Sequence, residues 1–198
     1  MVTIKFLMEF LLNLDLFLFK LINLNGEVSF DKTMIFLSNK YVFIPLYIYI
    51  LFILYKKFKS NFLWILLSIV FLIFLSDFGS VHFFKEIFQR LRPCHQLDEI
   101  RLVSNCGGLY SFISSHASNM FSIAFFIGLL TKNKKLFILL FSLATIIGYS
   151  RIYLGVHFPL DILGGMFWAI VVSLLSYKIV QHKIRWNNLI KYGFFGFC

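Results

Sequence analysis

Charged residues, cysteine and proline are all scarce in this chain of 198 residues. Asp, Glu, Lys and Arg together supply 14% of the sequence, and cysteine and proline occur three times each. Because soluble domains usually carry about 25% charged residues, this composition excludes a disordered protein and a soluble nucleic-acid-binding domain. Three cysteines are too few for a disulfide-dense secreted module. Hydrophobic residues make up 60% of the chain, which indicates a protein surrounded by lipid.

Apolar runs separated by short basic clusters predict an all-α, polytopic transmembrane bundle of five or six spans. Five runs are clear, at 41–55, 62–75, 120–130, 136–148 and 160–177. Residues 1–24 are apolar but interrupted, and Glu9, Asn13 and Lys20 share one helical face while Asp15 does not. That segment is predicted to be an interfacial helix or a tilted sixth span. The length suits a single membrane-embedded domain over residues 1–198.

The basic residues predict which loops face the cytoplasm. They follow the first, third and fifth runs, as Lys56, Lys57 and Lys59, then Lys132, Lys134 and Lys135, then Lys178, Lys183, Arg185 and Lys191. By the positive-inside rule these loops are cytoplasmic, so the loop at 83–117 and the turn at 150–158 face outward. Topology thus explains the net charge of +10, and we expect no nucleic-acid partner. The outward loop nevertheless contains Lys85, Arg90, Arg92 and Arg101, and binding an anion is one reason for basic residues on that side.

The first candidate stretch runs from Lys85 to Pro93. Lys85 and Arg92 are seven residues apart, or two helical turns, which predicts that they project from one face and that Arg90 points elsewhere. Pro93 predicts that the helix ends there. Arginine offers a planar fork and lysine a point charge to phosphate oxygens, whereas a pair of snorkelling interfacial cations is the plain alternative.

The second candidate stretch is Ser114-Ser115-His116, directly before an apolar run. Serine suits the N-cap of a helix, and the free N–H groups of a helix N-terminus bind anions. His116 in the first turn can donate a proton to a leaving oxygen. A plain helix cap with a solvated histidine is the alternative.

The third candidate stretch contains Ser150, Arg151, His157 and Asp161. His157 and Asp161 are four residues apart and therefore share a helical face. An aspartate that accepts from one imidazole nitrogen fixes the tautomer and leaves the other nitrogen nucleophilic. An aspartate at the head of a transmembrane helix is costly and usually functional, although a His–Asp pair that caps the helix is the alternative.

Together these stretches resemble the type 2 phosphatidic acid phosphatase superfamily, which shares its fold with vanadium haloperoxidases. The family pattern K-x6-R-P is complete from Lys85 to Pro93, and the pattern S-R-x5-H-x3-D is complete from Ser150 to Asp161. The pattern P-S-G-H is matched in part, with isoleucine in place of the proline and Ser115 in place of the glycine. The resemblance covers residues 85–161 and implies a haloperoxidase-like helical core.

The resemblance implies an enzyme that hydrolyses a lipid phosphate in two steps. His157 would attack phosphorus and form a phosphohistidine, Asp161 would orient His157, and His116 would protonate the leaving oxygen and then activate water. The phosphate would be held by Lys85, Arg92, Arg151 and the backbone N–H groups of Ser114 and Ser115. Phosphoryl transfer needs mostly positioning and charge neutralisation, which three fixed cations supply, so we expect no metal ion or other cofactor.

The substrates of the family include phosphatidic acid, phosphatidylglycerol phosphate, polyprenyl diphosphates and lipid A phosphates. An outward site suits undecaprenyl diphosphate, which is released on the outer side of a bacterial inner membrane, and this is the substrate that we expect. The site would then face the periplasm or exterior. A non-catalytic protein that binds or transports lipid phosphates is the alternative of another class, and the filled motif positions argue against it. The oligomeric state stays open.

Cys94 and Cys106 lie 12 positions apart in the outward loop. If that loop faces an oxidising compartment, we expect a disulfide that orders the loop and presents Arg92. A metal site of Cys94, His95 and Cys106 is the alternative, but it lacks a fourth ligand at the usual spacing.

Overall fold

The regular secondary structure of the described residues is helical, apart from one isolated β-bridge between Leu91 and Tyr110. The structure is a computed structural model that describes residues 2–193 and the side chains of residues 4–185. Its helices are α1 (Val2–Leu24), α2 (Val28–Ser38), α3 (Ile44–Phe58), α4 (Phe62–Gly79), α5 (Glu86–Phe88), α6 (Pro93–Gln96), α7 (Ser115–Thr131), α8 (Lys134–Tyr153) and α9 (Pro159–Gly193). Within that range there is no strand, so the predicted all-α fold class is confirmed.

Three helical stretches are long and apolar enough to cross a membrane. They are Lys40–Phe88, Lys134–Tyr153 and Pro159–Arg185. The first has 49 residues and includes both α3 and α4, between which the chain turns at Lys59–Asn61. Many large apolar side chains on these helices are exposed, among them Phe52, Leu63, Leu67, Phe74, Leu163 and Phe167. Exposure of this kind is stable in lipid, which fits the predicted polytopic bundle.

Helix α7 lies at the centre of the bundle and packs against α4, α8 and α9. Ile65 and Leu72 of α4, Phe126 of α7, Leu140 of α8 and Val172 of α9 are buried in one shared cluster. Helix α9 lies very close to the first residues of α7. A Cβ atom added to Gly165 would lie 2.9 Å from the Ser114 carbonyl oxygen. Only glycine therefore lets α9 approach the first residues of α7 this closely.

Helix α1 docks on the bundle through one buried stripe. Asp15, Phe19 and Asn23 are buried at four-residue spacing, whereas Glu9, Asn13 and Lys20 are exposed. The Asn23 amide donates to the backbone oxygens of residues 101 and 153 at 2.8 Å each. The segment predicted at 1–24 is thus a helix over its described residues, and its C-terminal half packs against α8 and α9.

The helix that contains Lys85 ends earlier than the sequence analysis predicts. Helix α4 continues as a π-helix over Ser80–Lys85 and then as α5, and Gln89 is left-handed with φ of 46°. Arg92 is extended, with φ of −71° and ψ of 155°. The prediction that Lys85 and Arg92 share one helical face is therefore wrong, because the left-handed residue breaks the helix between them.

A disulfide joins Cys94 and Cys106 in the loop between α5 and α7, with a Cα–Cα distance of 6.1 Å. His95 Nε2 lies 3.3 Å from the Cys106 sulfur. Because the disulfide uses both sulfurs, the alternative metal site has no thiolate ligand in this structure. The bridge closes the loop that follows α5 and contains Arg92.

Candidate active site

His157 and Asp161 form a buried pair in the turn that leads into α9. Pro159 begins the helix, and Asp161 Oδ2 accepts the Phe158 backbone N–H at 2.8 Å and lies 3.2 Å from His157 Nδ1. His157 is 1% exposed and Asp161 is fully buried. Because the carboxylate holds Nδ1–H, the lone pair of His157 resides on Nε2, the nitrogen that is able to attack an electrophile.

The environment of His157 favours its neutral form. Burial lowers the pKa of His157 well below the ordinary value of 6.5, and the nearby charges of Arg92, Arg151 and Lys85 lower it further. A neutral imidazole keeps the lone pair that a nucleophile needs.

Lys85 and Arg92 are held by neutral groups. Lys85 Nζ donates to the Ser115 hydroxyl at 2.9 Å. Arg92 donates to the backbone oxygens of Cys106 at 2.8 Å and Tyr110 at 3.3 Å. Burial lowers the pKa of Arg92, which still leaves a guanidinium protonated at neutral pH. Both cations therefore keep their charge available to a ligand.

Arg151, at the end of α8, is the third cation, and like Lys85 it is half-buried, whereas Arg92 is buried. It donates to the Ser38 hydroxyl, and its buried Nε has no partner among the described residues. Lys85, Arg92 and Arg151 interact electrostatically with one another. None of the three pairs with a carboxylate within residues 4–185. Since charges that are withdrawn from water are normally paired, one buried and two half-buried cations in one place indicate a site for an anion.

Ser114 precedes α7 as predicted, but the hydrogen bonds of its side chain and its backbone N–H differ from the expected ones. Its side chain makes no capping hydrogen bond, and its backbone N–H donates to the Asp161 backbone oxygen at 3.0 Å. In this structure the Ser114 backbone N–H, which is expected to hold phosphate, is bonded to the third motif. The buried Ser114 hydroxyl, in contrast, has no partner among the described side chains and is free to donate to an anion.

Ser115 and His116 begin α7 beside these cations. The Ser115 hydroxyl bonds Lys85 and also lies 2.6 Å from the Ser80 hydroxyl. His116 interacts electrostatically with Arg151, His157, Lys40 and Lys85. The structure thus brings together the predicted residues of all three stretches. Ser150 is the exception, because its hydroxyl bonds back to the Ile147 oxygen at 2.7 Å within α8.

Arg90 is the residue that the sequence analysis places wrongly. It donates to Asp161 Oδ1 at 3.1 Å, and through its second terminal nitrogen to Asp15 Oδ2 at 2.5 Å. The chain bends at Gln89, so the helical spacing that points Arg90 elsewhere does not apply. One sequence signal for this contact existed, because Asp15 lies off the polar face of the first helix.

An apolar groove opens next to the second motif. It is a cavity of about 540 Å³ lined by Ser115, His116, Lys40, Tyr47, Met120 and Ile123, with further isoleucines of α4 and α7. The Tyr47 hydroxyl meets the Met120 sulfur at 3.0 Å across this groove. An apolar groove that is lined by a histidine beside three cations suits a lipid with an anionic head.

Comparison with known proteins agrees with this geometry. The family model of the PAP2 superfamily matches residues 61–185. The chain belongs to the PAP2 superfamily. All three motifs of the site and helices α4 to α8, with most of α9, lie inside the matched segment, whereas α1 lies outside it.

This PAP2-superfamily chain is similar to lipid phosphatases of other organisms. It is 32% identical over 185 residues to the lipid A 4′-phosphatase of Porphyromonas gingivalis, covering 90% of this chain and 78% of the relative. It is 33% identical over 165 residues to the undecaprenyl-diphosphatase of Sulfolobus acidocaldarius, covering 82% of this chain and 76% of the relative. The crystal structure of Aquifex aeolicus LpxE superposes with a TM-score of 0.63 at 29% identity, covering 83% of this chain and 95% of that one.

Proposed function

We propose that this membrane-embedded PAP2-superfamily phosphatase removes a phosphate from a lipid, with His157 as the nucleophile. One observation carries the proposal. A neutral histidine, oriented by a buried carboxylate, lies among three cations, one buried and two half-buried, that have no carboxylate partner in the described side chains. A binding or transport protein needs the cations but has no use for the His157–Asp161 pair.

The reaction needs two successive displacements at phosphorus, the first by His157 and the second by water. His157 Nε2 attacks phosphorus, and the bond from phosphorus to the leaving oxygen breaks. Burial, followed by the charge of Arg151, lowers the pKa of His116 to about 3. His116 enters this step protonated because the negative charge of the bound phosphate favours its imidazolium form. The imidazolium then gives its proton to the leaving oxygen. Neutral His116 then takes a proton from water, which attacks the phosphohistidine, breaks the phosphorus–nitrogen bond and releases inorganic phosphate. Asp161 balances the charge that His157 acquires in the first step, as the aspartate of a catalytic triad does.

The cations stabilise the charge that spreads over the phosphoryl oxygens. Lys85, Arg92 and Arg151 supply three fixed positive charges, and the Ser114 hydroxyl and the first N–H groups of α7 add neutral donors. Such positioning is most of what phosphoryl transfer requires. We therefore propose that catalysis proceeds with a metal chelator present.

Undecaprenyl diphosphate is the substrate that we propose first. The lining of the groove is mostly apolar, which suits a single prenyl chain, and Lys40 lines it together with Ser115 and His116. Lys40 also interacts electrostatically with His116. A diphosphate carries negative charge beyond the transferred phosphoryl group, and Lys40 offers it a counter-charge. A lipid A phosphate is the second candidate, because one of the named relatives is a lipid A 4′-phosphatase.

We propose that the protein lies in a bacterial inner membrane with this site on the periplasmic face. The basic clusters after the first, third and fifth apolar runs support a cytoplasmic location for the opposite end. The disulfide in the outward loop supports an oxidising compartment on the side of the site.

The deciding experiment measures phosphate release by purified protein in detergent with EDTA, beside His157→Ala. We expect release from undecaprenyl diphosphate that disappears in the variant. Lys40→Ala should slow hydrolysis of the diphosphate more than hydrolysis of a lipid A phosphate or phosphatidic acid. Equal release by wild type and His157→Ala would refute the proposed nucleophile, and preference for lipid A phosphate would select the second candidate.

A further inference from the structure

A chain of ion pairs extends from the reacting histidine to helix α1. Asp161 Oδ2 faces His157, and Asp161 Oδ1 accepts from Arg90 Nη1 at 3.1 Å. Arg90 Nη2 then donates to Asp15 Oδ2 at 2.5 Å. The second oxygen of Asp15 accepts the backbone N–H of Leu160 at 2.7 Å, so Asp15 also holds the first turn of α9.

Both carboxylates in this chain of ion pairs are buried, which costs free energy. Asp15 is 2% exposed and Asp161 is fully buried, so each carboxylate needs compensation for lost hydration. One guanidinium serves both carboxylates through two different nitrogens, which its planar fork allows and a single ammonium does not. Stacking fixes the guanidinium further, because its central carbon lies 4.0 Å from the centre of the Phe158 ring.

Arg90 therefore differs in role from the three cations of the anion site. Lys85, Arg92 and Arg151 are held by neutral oxygens, whereas Arg90 is already neutralised by two carboxylates. It has no net charge left for phosphate. Its contacts connect Asp161 with a helix outside the segment that matches the family model.

We propose that Asp15 and Arg90 are positioning residues for the His157–Asp161 pair. Asp15 fixes the guanidinium of Arg90 and the start of α9, and Arg90 keeps Asp161 ionised and aimed at His157 Nδ1. Helix α1 is then part of the catalytic apparatus and not only a membrane anchor. This inference rests on the proposed function, because it assigns these residues to the orientation of its nucleophile.

The test compares Asp15→Asn, Arg90→Gln and Arg90→Lys with a matched control, Asp31→Asn. Asp31 also pairs with an arginine, Arg101, at 2.5 Å, but that pair lies outside the site and is about one-fifth exposed. Steady-state phosphate release is measured over a range of pH, and detergent-solubilised protein is checked by thermal unfolding. Wild type and His157→Ala are measured first, so that failure of the proposed function is recognised separately.

We expect kcat to fall about 10- to 100-fold in the Asp15 and Arg90 variants, because small displacements of a nucleophile have effects of this size. KM should change little, since neither residue touches phosphate. The double variant Asp15→Asn/Arg90→Gln should lose no more than the worse single variant, because both act through Asp161. The Asp31→Asn control should keep the wild-type kcat.

The pH profile separates positioning from mere stability. Without the guanidinium, Asp161 loses the positive charge that faces its second oxygen, so the acid limb of the pH profile of kcat should move to higher pH in Arg90→Gln and less in Arg90→Lys. The charged groups that face Asp161 are Asp15 on α1, Lys85 before α5, Arg90 and Arg92 in the loop, and His157 in the turn.

Three outcomes would overturn the inference while wild type remains active. These are a wild-type kcat in Asp15→Asn, a rise in KM without loss of kcat in Arg90→Gln, or an unmoved acid limb in the Arg90 variants. If Asp15→Asn fails to fold, Arg90→Lys keeps the charge in place and decides the question alone through its kcat and acid limb.

Discussion

The ammonium of Lys85 donates a 2.9 Å hydrogen bond to the hydroxyl of Ser115, which ties the first motif directly to the second. These residues are thirty positions apart and come from different helices. The family pattern has glycine at the position of Ser115, so the hydroxyl contact is a feature of this chain. It holds Lys85 at the mouth of the site, next to the first turn of α7.

Removal of the Ser115 hydroxyl is predicted to weaken phosphate binding. In Ser115→Ala, Lys85 loses its anchor and samples other rotamers, so KM should rise about 3- to 10-fold, equivalent to roughly 1 kcal/mol. The value of kcat should change less. Ser80→Ala is the control, because it removes a neighbouring hydroxyl but leaves the Lys85–Ser115 bond. Equal effects of both variants on KM would contradict the assignment.

His157 is predicted to stay neutral under mildly acidic conditions. Burial and the charges of Arg92, Arg151 and Lys85 lower the pKa of His157, so it gains a proton only as pH falls well below about 6.5. The unfolded chain binds that proton at about pH 6.5, so acid should reduce the free energy of unfolding. Nitrogen NMR of labelled histidine, assigned with His157→Gln, checks this, and a midpoint near the ordinary value would refute it.

Opening the disulfide is predicted to disturb Arg92. The Cys106 backbone oxygen accepts from Arg92 Nη1 at 2.8 Å, and the Cys94–Cys106 bridge fixes the loop that contains this oxygen. The variant Cys94→Ser/Cys106→Ser should raise KM several-fold with a smaller effect on kcat, and reduction of wild type should do the same. A thiol count without reductant tests the premise, and two free loop thiols in purified protein would contradict it.

A methyl group at Gly165 is predicted to displace the N-terminus of α7. The added Cβ would lie 2.9 Å from the Ser114 oxygen and 3.1 Å from the Ser118 nitrogen, which are backbone atoms that cannot rotate away. Gly165→Ala should cost about 1–3 kcal/mol of stability and lower kcat, since His116 moves with α7. Gly108→Ala is the matched control, because nothing lies within 4 Å of its Cβ. An unchanged Tm and kcat in Gly165→Ala would show that α9 moves instead.

The local sequence was sufficient for the helices and for the motif residues. The apolar runs at 62–75, 120–130, 136–148 and 160–177 fall inside α4, α7, α8 and α9, and the run at 41–55 begins in a 3-10 turn three residues before α3. The reason is physical, because lipid requires every backbone group to bond within its own helix and leaves composition as the main determinant. Spacing was equally sufficient for the His157–Asp161 pair, whose members are one helical turn apart.

Only the tertiary structure decided which residues surround that pair. Arg90 and Arg92 are two positions apart and both basic, yet one faces two carboxylates and the other faces backbone oxygens. The separation arises because Gln89 is left-handed and because α1 brings Asp15 to the start of α9. Helical periodicity does not predict where a helix breaks. The pattern of residues 1–24 likewise does not predict which residue pairs with the buried Asp15. The sequence by itself determined the helical fold and the motif residues, and packing between distant helices decided how those residues are held.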